Sequence, residues 1–211
     1  MIDQTNAPSD LFLDRLVDVM LELAPESGWT HAGLAKAAEK AGLTQGQALL
    51  AAPNGLADVL EAFGKRAARA AGTAVSAPEA AALKVREKVR AGVKGWLAAL
   101  APHKAAMKRA AATPTNVLTG PKGLWAAADA IWAALGDKST DYNWYTKRMT
   151  LVAVLGSTLA AWMGTDDEAQ VDAFLDRRIE NVMQFEKFKA QAKNAFANFP
   201  DPLDILGQRK G

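Results

Sequence analysis

Residues 139–148, Ser-Thr-Asp-Tyr-Asn-Trp-Tyr-Thr-Lys-Arg, place Tyr142, Trp144 and Tyr145 within four positions. Asp137 and Asp141 stand just before them, and Lys147 and Arg148 follow. Two carboxylates one helical turn apart could share acid–base work, but each has a local cation and a simpler use in capping. A reacting site would also need a partner, and the sequence offers none. The two histidines, His31 and His103, are far apart and neither lies at ligand spacing from a carboxylate. There is no Glu-x-x-His or His-x-x-x-His to build a zinc or di-iron site. The chain has no cysteine, so disulfides, thiolate metal sites and cysteine nucleophiles are excluded. Gly120-Pro-Lys-Gly123 lacks the spacing and the Lys-Ser/Thr ending of a phosphate loop. Ser157 sits in a helical pattern without Gly-x-Ser-x-Gly. Asp166, Asp167 and Glu168 suit the positive N-terminus of a helix. The reading is of a protein that is not an enzyme and carries no cofactor.

The elements that must position this cluster are helices. Half of the 211 residues are hydrophobic, enough for a sizeable core. Alanine dominates that half, and alanine loses no side-chain entropy on entering a helix. The formal net charge is only +2, far from the basic excess of a dedicated nucleic-acid binder. The first ten residues are polar and acidic and resemble neither a signal nor a transit peptide. No apolar run approaches the ~20 residues that span a bilayer. The expected location is cytoplasmic, at most peripheral at the inner membrane.

Ser9 or Asp10 is expected to cap a first helix that carries Leu13, Leu16, Val17, Met20 and Leu21 and stops near Pro25 and Gly28. Helix, turn and helix follow: Thr30 caps the first, Gly42 ends it, and Thr44 caps the second. A longer helix begins after Pro53 and Asn54. Residues 73–80 read as a joint. From Leu83 to Leu100, Val85, Val89, Val93, Trp96 and Leu100 share one stripe, and Lys84, Arg86, Lys88, Arg90 and Lys94 occupy much of the rest. A short helix is expected at about 103–112, a loop at 113–123, and further helices at about 123–135, 142–163 and 167–196.

This all-α order resembles TetR-type regulators, with a helix-turn-helix head over residues 1–75, a helical ligand-binding body over 76–199 and a tail over 200–211. Such proteins dimerise through their last two helices, so a homodimer is expected. DNA reading is not. The second helix of the head has Gln45 and Gln47 to reach base edges but no Arg, Lys or aromatic anchor. A ligand-responsive transcriptional regulator is the alternative function.

The motif itself is similar to the signature of the ubiquinone-biosynthesis accessory family called coenzyme Q protein nine. The matching positions are Gly136, Asp137, Ser139, Thr140, Asp141, Asn143, Trp144, Tyr145, Thr146 and Arg148, followed by an apolar helix. Tyr142 stands where the family commonly has Phe, and Lys147 where it has Arg. Phe174, Leu175, Arg177, Arg178, Ile179 and Val182 look similar too. The resemblance implies a TetR-like, non-catalytic, lipid-binding accessory protein. Its ligand would be an isoprenoid quinone or other lipid, and its partner the di-iron hydroxylase that acts on demethoxyubiquinone. It further implies a docking surface that includes Trp144 and Tyr145, with Asp141 and Arg148 in the patch or supporting it. On residue pattern alone, adjacent helical residues diverge by about 100°, so Trp144 and Tyr145 cannot share one face. That leaves open a reading in which both are core and Asp141 is an N-cap. Trp125 and Trp132, at i and i+7, and Leu151, Leu155, Leu159 and Trp162 offer apolar lining for a lipid pocket, although such stripes are more often ordinary core. By the same resemblance, Phe185, Phe188, Phe196 and Phe199, among Lys187, Lys189 and Lys193, form a candidate membrane-surface helix.

Overall fold

The structure, a computed structural model, describes residues 7–112, 120–140 and 142–197, with side chains described as far as residue 184. All regular structure among these residues is helical. The order is α1 (Pro8–Ser27), α2 (His31–Lys40), α3 (Gln45–Ala51), α4 (Leu56–Ser76), α5 (Val85–Leu100), α6 (Lys104–Ala111), α7 (Gly120–Ala134), α8 (Tyr142–Gly164) and α9 (Glu168–Ala197). Short 3-10 turns at Pro78–Ala80 and Ala101–His103 precede α5 and α6.

The helix-turn-helix is set locally. The Thr30 hydroxyl accepts from the Gly33 amide, and Thr44 forms a capping box with Gln47. At the end of α2, Gly42 takes φ +68°. Its amide donates to the Glu39 carbonyl and the Leu43 amide to the Ala38 carbonyl, which closes the helix and turns Leu43 into the core. Two expected boundaries differ. The first helix begins at Pro8, with Ala7 at the N-cap and no side-chain cap from Ser9 or Asp10. Proline needs no amide partner in a first turn, so Pro8 starts the helix unaided. For the same reason α7 begins at Gly120 and takes in Pro121 and Gly123, which the sequence pattern assigns to a loop.

Helix α4 is the central beam. It packs on α1, α5 and α7, and one continuous core runs from Leu16 to Ile179. Against α5 and α7 the backbones come very close. A Cβ added at Gly95 would lie 2.5 Å from the Cβ of Ala74, and one at Gly92 would lie 2.8 Å from Ile131 and Val75. Ala67, Ala68 and Ala71 of α4 are buried there with Ala127, Ala128 and Ile131 of α7. Small residues thus let α4, α5 and α7 form a tight sandwich.

The outer helices are held differently. Among the described side chains of α9 the buried positions are Val171, Leu175 and Ile179, a single file four residues apart. Beside that file, Asp172, Asp176 and Glu180 face α5. Arg90 Nε donates to Asp176 at 2.6 Å, Lys94 Nζ donates to Asp172 at 2.6 Å, and Arg86 lies 3.7 Å from Glu180. Hydrogen bonding to Asp176 holds the Arg90 guanidinium above its usual pKa against the cost of its burial. Burial works against the Asp172 carboxylate, but Lys94 and Arg90 outweigh it and hold it below its ordinary range. Thus much of the basic face foreseen on α5 is neutralised within the fold.

Candidate functional site

The junction of α7 and α8 is built by the motif. Helix α7 ends with Gly136 at φ +74°. The Gly136 amide donates to the Ala133 carbonyl and the Asp137 amide to the Trp132 carbonyl. This helix-terminating turn requires the left-handed conformation that glycine adopts without strain. It delivers the Asp137 side chain, only 5% exposed, into the angle between the two helices.

Four groups then converge on that carboxylate. Lys147 Nζ donates at 2.8 Å, Ser139 donates through its hydroxyl and backbone amide, and Arg148 NH1 donates at 3.1 Å. The Lys147 and Ser139 hydrogen bonds hold Asp137 well below the usual carboxylate range, with Arg148 adding to them and burial opposing. Arg148 is itself 3% exposed. Its Nε donates to Asp129 of α7 at 2.6 Å, its NH1 also donates to the Trp144 carbonyl at 3.1 Å, and its guanidinium lies 4.1 Å from the Trp144 ring centroid. Lys147 Nζ also lies 5.4 Å from the Trp132 ring, whose indole donates back to the Lys147 carbonyl at 3.2 Å. Asp137, Ser139, Lys147 and Arg148 therefore form a polar knot with Asp129. A carboxylate so fully engaged with cations and a hydroxyl stays ionised and has no proton to exchange near neutral pH.

Aromatic groups sit above the knot. Trp125 of α7 packs against Trp144 with ring centroids 5.8 Å apart and against Tyr145 at 5.5 Å. Tyr145 is the open member of the adjacent pair at 52% exposed, and Trp144 is half-buried over Arg148. Tyr142, Tyr145 and Met149, spaced three and four apart, are all exposed on α8. The result is a surface patch of large apolar groups on a rigid base, the composition from which interface anchors are made. Arg148 lies beneath this patch as its support. Asp141 lies outside the described residues.

Beside the knot, an apolar cleft of about 290 Å³ opens between α5, the end of α7, α8 and α9. Val85, Val89, Leu151, Val154, Ile179, Val182 and Met183 line most of it, and Trp132, Asn143, Thr146, Lys147 and Thr150 form a more polar side. Of the six residues proposed from sequence for a lipid pocket, Trp132 and Leu151 meet here. The others do not join them. Trp125 belongs to the aromatic patch, Leu155 is fully buried in the core, and Leu159 packs against that core. Trp162 lies under Lys104, whose Nζ is 4.8 Å from its ring. Trp125 and Trp132 share a helical stripe but meet different neighbours along its length. The wall from α5 and α9 was not foreseen; the i, i+4 pair Val85 and Val89 and the apolar residues of Ile179-Glu-Asn-Val-Met183 are its signal in the sequence.

The side chains of Phe185, Phe188, Phe196 and Phe199 lie outside the described residues. Among the described residues no helix is long and apolar enough to cross a membrane, and no group of three or more His, Cys, Asp or Glu is placed to hold a metal ion. In α3, the Gln47 side chain accepts from the Thr44 amide at 2.9 Å, so the capping box engages it rather than leaving it to read bases. The neighbouring Leu49 and Leu50 are exposed instead.

The described residues are thus all-α, with a polar knot under an aromatic patch and an apolar cleft beside it. Comparison with known proteins shows what the chain is similar to. Residues 117–186 match the COQ9 family model. The mitochondrial ubiquinone biosynthesis protein COQ9 of Rattus norvegicus is 28% identical over 191 residues, covering 85% of this chain and 61% of that protein. The Homo sapiens protein is 27% identical over 191 residues, with 85% and 60% covered. The probable coq9 protein of Dictyostelium discoideum is 31% identical over 113 residues, with 51% and 36% covered. The chain thus spans about three fifths of the length of the rat and human relatives. Together these matches support a COQ9 family assignment.

Proposed function

We propose that this protein is a non-catalytic, lipid-binding accessory protein of ubiquinone biosynthesis. It holds an isoprenoid quinone precursor and presents it to the di-iron hydroxylase acting on demethoxyubiquinone. The observation that carries this reading is the juxtaposition of the apolar cleft with the aromatic patch, both built on the first turns of α8. Burial of an isoprenoid tail against Val85, Val89, Ile179 and Val182 would draw the ligand from a bilayer by removing apolar surface from water. A partner enzyme seated on Tyr145 and Trp144 would then stand beside the bound head group.

In this reading the body is TetR-like, and two copies pair through the outer faces of α8 and α9, where Ala160, Ala161, Gly164 and Phe174 border a shallow groove. The protein works at a membrane surface, and the mitochondrial relatives suggest the ubiquinone-making membrane as its place. Duplex DNA is not among its ligands, because α3 offers exposed Leu49 and Leu50 where phosphate and base contacts would be needed.

The test is organic extraction of the purified protein followed by mass spectrometry. A co-purifying isoprenoid quinone or lipid is expected, and a consistently empty protein sinks the lipid reading. Co-purification with the hydroxylase should fall about tenfold or more for Tyr145→Ala with Trp144→Ala, in line with the loss of two aromatic anchors. Retained binding by that folded variant moves the docking surface elsewhere.

A further inference from the structure

The cleft has one wall unlike the others. Its α5 and α8 sides belong to helices with broad buried faces, whereas Ile179, Val182 and Met183 come from α9. Among its described side chains, helix α9 buries a single file, Val171, Leu175 and Ile179, with Val182 partly buried beyond it. What adds to that narrow seam is the row of ion pairs along its flank. Arg90 reaches both Asp172 and Asp176, Lys94 reaches Asp172, and Arg86 faces Glu180. The acids recur every four residues and the bases answer from one helix, so the row acts as a unit. On the α8 side, Arg178 Nε donates to the Ser157 hydroxyl at 3.1 Å.

Partly exposed ion pairs are weak singly and are screened by salt. Arranged as a row along a narrow apolar seam, they give a contact that stays shut at low ionic strength and loosens when the charges are screened or engaged elsewhere. The tight sandwich of α4, α5 and α7 rests mainly on apolar close packing, with a single ion pair, Lys122 to Glu61 at 3.6 Å, among the described residues across it.

Resting on the lipid-binding reading above, we infer that α9 is an ion-clasped wall of the cleft. Release of Asp172, Asp176 and Glu180 from Arg86, Arg90 and Lys94 swings its 179–183 segment away and admits the apolar ligand. An anionic surface that draws Arg86 and Arg90 to itself competes for the same cations, so the clasp couples entry to arrival at such a surface.

The experiment uses the full chain and 1,6-diphenylhexatriene, an uncharged apolar fluorophore whose own binding has no ion pair to screen. Amide hydrogen exchange over 174–184, with α8 amides as the internal standard, reads the wall directly. Raising NaCl from about 20 to about 500 mM should speed α9 exchange and probe association about tenfold in the wild type, a change that three or four weak pairs acting together can supply. The Asp172→Asn, Asp176→Asn, Glu180→Gln variant should be fast at both salts and should lose the salt dependence. Exchanging charges in Arg90→Glu and Lys94→Glu with Asp172→Lys and Asp176→Lys should restore protection at low salt. Equal α9 exchange in the wild type and the neutralised variant at both salts overturns the clasp. Faster α9 exchange with no probe bound in any variant overturns the lipid-binding reading instead, so the two failures are distinguishable.

Discussion

The α4–α5–α7 sandwich and the α7–α8–α9 side of the protein solve the same packing problem by opposite means. In the sandwich, glycine and alanine bring backbones so close that Gly92 and Gly95 leave no room for a methyl group. On the other side, helices are pinned by polar devices, the knot around Asp137 and the row along Asp172 and Asp176, and a cleft remains between them. Apolar close packing has no tolerance for added volume. A pinned layer tolerates volume but depends on a few charges. That contrast supports the proposal that an apolar ligand binds on the pinned side, where the cleft lies between helices.

The largest test of the contrast is Arg148→Ala. It removes a buried cation shared by Asp129 and Asp137 and should cost about 3 kcal/mol, read by chemical denaturation. A loss under about 1 kcal/mol would show the knot to be ornamental. Acid should undo the same knot without mutation. The Asp137 carboxylate has a lower pKa folded than unfolded, so its contribution is present above about pH 4 and is lost as pH falls further. Near-ultraviolet circular dichroism of the tryptophans should follow that loss, and Asp137→Asn should flatten the acid limb.

Next in size, Gly95→Ala forces a methyl against Ala74 and should cost about 2 kcal/mol. A neutral result would mean that α4 and α5 can spread apart, and the sandwich would lose its distinction. Thr158 of α8 is fully buried and its hydroxyl has no hydrogen-bond partner among the described residues. Thr158→Val keeps its shape, relieves that unmet group and should raise stability by about 1 kcal/mol; a loss would reveal a hydrogen bond with water. The smallest stability change is expected for Val182→Phe, which grows into the cleft at under about 1 kcal/mol yet should displace diphenylhexatriene. A stability loss as large as that of Gly95→Ala would erase the difference between the two sides.

What the sequence disclosed follows the range of each interaction. Thr30, Gly42 and Thr44 were legible because a cap and its partner lie within four residues. The all-α class was legible because alanine content and spacing are local properties. Asp137, Lys147 and Arg148 were legible as a cluster but not as a knot: adjacent basic residues read as solvated until Asp129, on another helix, is placed beside them. The basic face of α5 likewise reads as open until Asp172 and Asp176, about 80 positions on in the sequence, come to meet it. Trp125 and Trp132 share a stripe by arithmetic, yet which neighbour each meets depends on how α7 crosses α8, a tertiary fact that no period encodes. Which of Trp144 and Tyr145 is the exposed member was not legible: the 100° step between them sets their divergence but not the position of Trp125, on which both rings pack.

The stacked indoles have a practical meaning. Two tryptophan rings 5.8 Å apart and tilted by 59° are close enough for their excited states to couple, and the pair should sign its geometry into the far-ultraviolet dichroism as an exciton couplet. With Tyr145 packed on Trp125 and open to solvent on its other side, anything that settles on the patch must alter that signal. The protein thus carries its own unlabelled optical gauge of docking, placed at the surface where docking is proposed.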